Sequence, residues 1–272
     1  MSDFLKTMAD ASRARAERLP ASVPAAALDR PLHPLRLGEF DLIAEIKERS
    51  PAEGELRSAA VPRVERVRGY ASSGAAAISV LTEPSRFDGE LAHLDEAASV
   101  ASGLGVPVMR KDFLVDARQV IEARVYGASG ILLIAAMLDD KALAGMLDCA
   151  LEQEMFVLLE AFDEDDLGRI TGMLRISRYG AAAACDRLLV GVNTRNLRTL
   201  AVDTDRLVRL AERLPAGARA VAESGLVSGA DAEVVAKLGY RLALVGTALM
   251  RGPDPAALVA EMLRSGRRAL AA

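Results

Sequence analysis

Short apolar runs recur along this chain and break off at a charged, amide or glycine residue that hydrophobic packing alone would not choose. Six show it most clearly: LIAEIK (42–47), VPVMRK (106–111), FVLLE (156–160), LLVGVN (188–193), AVAES (220–224) and LALVG (242–246). A strand buried on both faces reads as a near-continuous apolar run, so ionisable groups belong only where it leaves the core. Between the runs lie longer stretches with helical periodicity, such as 61–73, 117–126 and 230–238. Alternating β and α elements imply a parallel sheet. The strands are expected at 41–47, 76–81, 106–111, 130–135, 155–160, 188–193, 219–223 and 242–246. Eight is the number that closes a barrel, which gives an α/β chain of the (β/α)8 TIM-barrel class. Gly74, Gly105, Gly127 and Gly239 each precede a strand, where a left-handed residue ends the helix before it.

The chain of 272 residues, 51% hydrophobic and 26% charged, is long enough for one such barrel and too short for two. It is read as a single domain, with an N-terminal helical extension over 1–40, a barrel over 41–256 and a C-terminal helix over 257–272. The extension is expected to carry a helix over 2–19 with Ser2 or Asp3 as N-cap, as an appendage to the barrel. The segment 163–187 exceeds a short connection and is read as a helix extension or surface insertion on the amino-terminal face. A formal charge of −4 gives no electrostatic reason to expect nucleic acid or an anionic membrane as partner. The first residues resemble neither a secretory signal nor a membrane span, so a cytoplasmic protein is expected. Cys149 and Cys185 make no disulfide framework, no Cys/His spacing suits a metal, and His33 and His93 lie away from the strand ends.

The strand ends of a barrel share one mouth, so Lys47 and Lys111 should converge there on an acidic ligand. A partly desolvated lysine near another cation has a lowered pKa and can donate a proton near neutral pH. Lys111, within MRKDF, is the better candidate, although a strand-end lysine can also simply reach out to solvent. Glu45, Glu160 and Glu223 lie on or at the end of buried runs, where a lysine partner would relieve the cost of burial. Each is open to acid–base work or to a structural ion pair. Asn193 offers an amide for a hydroxyl or carbonyl. Ser224 and Gly225 follow the seventh run, and Gly246 and Thr247 follow the eighth, where barrels commonly bind phosphate against a short helix. Lys47 and Ser50 can reach the same anion because the first and eighth strands of a closed barrel are neighbours. Phe87 and Phe113 lie just beyond strand ends and can wall an aromatic ring or cap the core. Arg195 is read as an ion-pair partner that organises this binding rim.

In order and spacing, AEIKERSP (44–51), SVLTEPSRFDG (79–89), PVMRKDF (107–113), GILLIAA (130–136), LLE (158–160), GVNTRNL (191–197), AESG (222–225) and VGTALMR (245–251) resemble the indole-3-glycerol phosphate synthases. That family has a helical extension before its barrel. It converts 1-(2-carboxyphenylamino)-1-deoxyribulose 5-phosphate to indole-3-glycerol phosphate with loss of carbon dioxide and water, using neither metal nor organic cofactor. The resemblance implies a lyase of tryptophan biosynthesis acting on a small phosphorylated substrate, without an obligate protein partner. It implies Lys111 as general acid, Lys47 as an anion holder that assists proton transfer, and Glu160 as base or proton relay for dehydration. Glu45, Asn193 and Glu223 would position the lysines and the sugar hydroxyls. Ser50, Ser224, Gly225, Gly246 and Thr247 would hold the phosphate, and Phe87, Phe113 and Leu132 would enclose the anthranilate ring. The chain departs from the pattern at Glu53, where a lysine is frequent, at Thr194, often Asn or another small residue, and at Thr247, usually Ser or Glu. Glu53 would repel a bound phosphate, screened by solvent if exposed. The same lysines could instead serve a Schiff-base aldolase, and the same glycine loops a non-enzymatic phosphate sensor.

Overall fold

The computed structural model describes residues 3–56, 61–195 and 201–271. Its barrel strands, in chain order, are Asp41–Ile46, Ala77–Leu81, Val108–Lys111, Gly130–Ile134, Phe156–Ala161, Leu188–Asn193, Ala220–Glu223 and Leu242–Val245. All pair in parallel, and the first pairs with both the second and the eighth, so the sheet closes on itself. Each strand lies within two residues of the bounds expected from its apolar run. The expected glycines at 74, 105, 127 and 239 all have positive φ, between 70° and 102°.

The strands are mostly apolar because both of their faces are buried, and their charged residues lie chiefly toward the carboxyl ends. On the first strand Leu42, Ala44 and Ile46 pack outward against the helices, while Ile43 joins the barrel interior. Met109, Leu132, Phe156, Leu158, Leu189, Val221, Leu242 and Leu244 fill that interior with it. Side chains alternate across a strand with a period of two, so the next inward positions follow directly. Glu45 comes two after Ile43, Lys111 two after Met109, Glu160 two after Leu158, Gly191 two after Leu189, Glu223 two after Val221 and Gly246 two after Leu244. The apolar plug ends and the polar rim begins within one step of the pleat.

The N-terminal helix, Asp3–Ala16, is more than an appendage. It buries Leu5, Met8, Ala9, Ser12 and Ala16, and Leu5 and Met8 belong to the same cluster as the barrel interior. Polar ties hold it across the rim. Arg15 Nη2 donates to Asp112 at 2.6 Å and Gln119 Nε2 donates to Ser12 Oγ at 2.9 Å. Ser2, the alternative N-cap, lies outside the described residues, as do the last two residues of GVNTRNL. The long connection 163–187 holds two helices, Glu164–Leu174 and Ser177–Ala184. The second leads into the start of the sixth strand, and its Tyr179 hydroxyl donates to Asp148 at 2.9 Å. A short antiparallel hairpin, Arg49–Ser50 with Gly54–Glu55, follows the first strand. Its two-residue strands are too short to leave a periodic signal, and Gly54 turns it with φ of 73°.

Candidate active site

Every candidate site residue read from the sequence lines one cavity at the carboxyl ends of the strands. At about 190 Å³ the cavity has room for far more than an isolated water. On its floor Lys111 Nζ donates to Glu160 and to Glu223, each at 3.3 Å, with its side chain 14% exposed. Burial alone would lower the lysine pKa, but the carboxylates of Glu160, Glu223 and Glu45 outweigh it and hold Lys111 well above the ordinary lysine value. This corrects the sequence expectation of a lowered value. The second cation, Lys47, is engaged by Glu45 at 2.5 Å, so the nearest charges to Lys111 are acids. Burial would raise Glu45, yet Lys47, Lys111 and Arg195 hold it below the usual carboxylate range. Burial and the adjacent Glu160 push Glu223 well above that range, and Lys111 only partly offsets them.

Asn193 at the end of the sixth strand accepts from the Arg195 backbone N–H and the Ser224 hydroxyl, both at 2.9 Å. A backbone N–H can only donate, so this atom of Asn193 is the carbonyl oxygen, and the NH2 group is what the side chain offers a ligand. Ser224 and Gly225 adopt consecutive left-handed conformations, φ 69° and 80°. Thr194 fixes them from beneath, its hydroxyl lying 3.1 Å from the Ser224 carbonyl and 3.2 Å from that of Glu223. The departure at Thr194 thus adds a hydroxyl that braces the seventh strand end. Gly246 needs no positive φ. A Cβ there would lie 2.2 Å from Glu45 Oε1, so the glycine makes room for that carboxylate. Ser50 Oγ accepts from the Ala52 N–H at 3.4 Å. Glu53 does not stand alone over this loop. Arg251 pairs with its carboxylate at 3.1 Å and donates to its backbone carbonyl at 2.7 Å, offsetting the repulsion expected from sequence.

The opposite wall is aromatic. Phe87 ends the short helix Pro84–Phe87, started by Pro84 at its first position and capped by Glu83, which accepts from the Ser85 and Arg86 N–H groups at 2.9 and 2.7 Å. The Phe87 and Phe113 rings lie 6.0 Å apart, and Phe4 of the N-terminal helix meets Phe113 edge-on at 5.8 Å. Leu132 and Ile134 continue this side. Sequence reasoning missed Phe4, although Phe4, Leu5 and Met8 share one helical face. It also missed Asp112. That carboxylate accepts from Arg15, Thr82, Arg110 and the Phe113 N–H at 2.6, 2.8, 3.0 and 2.7 Å, and anchors the helix beside Lys111. Burial would raise Asp112, but Arg110 and Arg15 hold it below the ordinary aspartate value.

The family model described as indole-3-glycerol phosphate synthase matches residues 17–262. The chain belongs to the indole-3-glycerol phosphate synthase family. The indole-3-glycerol phosphate synthase of Parafrankia sp. is 42% identical over 96% of this chain and 89% of its own length. That of Nocardioides sp. is 42% identical over 85% and 83%, and that of Mycolicibacterium gilvum 40% over 93% and 85%. Among solved structures, 3-hexulose-6-phosphate synthase from Salmonella typhimurium superposes with a TM-score of 0.62 at 18% identity, covering 85% of this chain and all of that one. Thiamine phosphate pyrophosphorylase from Pyrococcus furiosus gives 0.58 at 17% identity, over 85% and 98%. These two likenesses concern the barrel fold alone. As an indole-3-glycerol phosphate synthase the chain is a carboxy-lyase of tryptophan biosynthesis, acting on a small phosphorylated substrate. No helix among the described residues is long and apolar enough to cross a membrane.

Proposed function

We propose that this mouth closes the indole ring of 1-(2-carboxyphenylamino)-1-deoxyribulose 5-phosphate by acid–base catalysis, with Lys111 as the general acid. The observation that carries the reading is the buried Lys111 ammonium, gripped by Glu160 and Glu223 between an aromatic wall and a glycine-rich rim. The substrate divides in the same way, into an aromatic acid, a ribulose carbonyl and a phosphate. The ring lies against Phe87, Phe113 and Leu132. The phosphate lies among Ser50, Ser224, Gly225, Gly246 and Thr247, where the helix Thr247–Arg251 has no side-chain cap of its own. Lys47 and Arg195 add positive charge at that rim.

The carboxylate-bearing ring carbon attacks the ribulose carbonyl carbon, and Lys111 gives its proton to the carbonyl oxygen as the new C–C bond forms. A developing alkoxide is more basic than an amine, so a tightly held ammonium still serves as donor and stabilises the charge before transfer. Loss of carbon dioxide returns its bonding pair to the ring. Glu160 then takes a proton from the former ribulose C1 as the new hydroxyl, protonated by a lysine ammonium, leaves as water. Glu45, Glu223 and the Asn193 NH2 group hold the lysines and the sugar hydroxyls in place. The enzyme works in the cytoplasm without a cofactor or an obligate protein partner. An aldolase would need Lys111 as a neutral nucleophile, which its carboxylate setting opposes, so borohydride should trap no adduct.

The chain has no tryptophan, so indole fluorescence reports product directly. On adding substrate, the unaltered protein should give a rising indole signal, and Lys111→Ala should lower turnover by at least about 10²-fold while keeping its circular dichroism. Near-normal turnover in that variant would remove Lys111 from the chemistry.

A further inference from the structure

We infer that Gly191 is a positioning residue, its missing side chain being the seat that lets Glu223 lie beside Glu160 and share Lys111. The inference rests on the catalytic reading above, and deepens it.

Gly191 sits between the two strands that carry these acids. It is the register partner of Glu160 on the fifth strand and of Val221 on the seventh, two residues before Glu223. By the pleat it occupies an inward position, one step above Leu189 and one below Asn193. A Cβ built there would fall 2.0 Å from Glu223 Oε1, 3.1 Å from its Cδ and 3.1 Å from Leu158 Cδ1. Real Cβ atoms essentially never come within 3.0 Å of another heavy atom, so Glu223 would have to shift into the cavity it lines, while Leu158, at 0% exposed, would have to give slightly. Gly191 is not among the glycines of positive φ, so the backbone does not call for glycine here. Glycine within a strand costs stability, and a close approach by another group is one of the few reasons to keep it.

The seat explains an otherwise odd feature of Glu223. Its Oε2 meets Lys111, while its Oε1 is buried without a hydrogen-bond partner, over the bare Gly191 backbone. Filled, the seat would push the carboxylate toward the open mouth, where its oxygens could find water and Lys111 would lose one of its two grips. The eighth strand repeats the device. At Gly246 an added Cβ would meet Glu45 Oε1 at 2.2 Å and Lys47 Nζ at 2.9 Å. Acids on the first, fifth and seventh strands thus alternate with glycines on the sixth and eighth.

The test is a mutant cycle read by kcat, KM and Tm on wild type, Gly191→Ala, Glu223→Asp and the double variant. Gly191→Ala should lower kcat by about 10²-fold, the scale of a misplacement near 1 Å. Glu223→Asp withdraws the carboxylate by one methylene, so the double variant should be at least about tenfold more active than Gly191→Ala alone. Near-wild-type kcat in Gly191→Ala, or a double variant no better than the product of the single losses, would overturn the assignment. If Gly191→Ala alone does not fold, the comparison moves to Tm in a Glu223→Ala background. Folding regained there supports the seat, and failure in both backgrounds assigns the clash to Leu158 and overturns it. Absence of turnover in the unaltered protein would sink the catalytic reading, while the Tm comparison would still decide the seat.

Discussion

Lys111 and Asp112 are consecutive in the chain and both sit in buried charge clusters, yet the clusters are built on opposite plans. Asp112 faces a surplus of donors, and each of its oxygens accepts at least one bond of 3.0 Å or less. Lys111 faces a surplus of acceptors, at 3.3 Å, with one carboxylate oxygen of Glu223 left unpaired. One peptide link separates them because alternation along the strand sends successive side chains to opposite faces. The satisfied cluster fastens the N-terminal helix to the barrel. The other leaves an acceptor open, which a hydroxyl donor on a ligand would satisfy. Balance of charge, more than burial, separates the structural cluster from the proposed catalytic one.

The largest effect is expected at Asp112. Asp112→Ala leaves the buried Arg110 without this partner and should cost about 3 kcal/mol, measured by urea unfolding. A loss below about 1 kcal/mol would mean that the cluster is not the clasp described here. Glu223→Gln should move activity and stability in opposite directions. Turnover should fall by about tenfold or more through the loosened Lys111. Tm at neutral pH should hold or rise, because a buried charge that raises its own pKa is a cost when ionised.

Titration sharpens the contrast by its sign. Asp112 has a folded pKa below its unfolded value, so its contribution is complete above the ordinary aspartate pKa and is lost as pH falls through the folded one. Glu223 has a raised folded pKa, so its cost is absent in acid and appears as pH rises past the unfolded glutamate value. Urea midpoints stepped from about pH 7 to about pH 3 should therefore fall less steeply in Asp112→Asn than in wild type. Over the same steps the advantage of Glu223→Gln should shrink. Parallel curves for all three proteins would refute both assignments. The smallest effect is expected at the exposed Glu53–Arg251 pair, where Arg251→Ala should cost under about 1 kcal/mol and raise KM only slightly.

The barrel was legible because a parallel strand buried on both faces is mostly apolar, so Lys47, Lys111, Glu160, Asn193 and Glu223 marked the ends of their own strands. The glycines next to the seventh and eighth strand ends, on which the proposed phosphate site rests, were legible as well. Three things were not. Phe4 reaches the cavity only through the packing of its helix across the rim, a tertiary contact with no local signature. The raised pKa of Lys111 depends on which charges lie nearest in space, and the sequence shows the second lysine as readily as the three acids. The volume reason for Gly246 shows only once the Glu45 carboxylate has a position, since a strand-end glycine looks the same whether it turns the chain or vacates space.

The helix laid across the rim also bears on how such a chain is made and handled. Arg15 is synthesised 97 residues before Asp112, the group that fastens it. A growing chain therefore exposes Leu5 and Met8 until the barrel interior that receives them has been made, and this interval is where a chaperone would find an apolar handle. In the finished protein Phe4 lines the mouth itself, so a purification tag placed ahead of it would hang over the entrance, whereas one following Ala271 would leave the entrance clear.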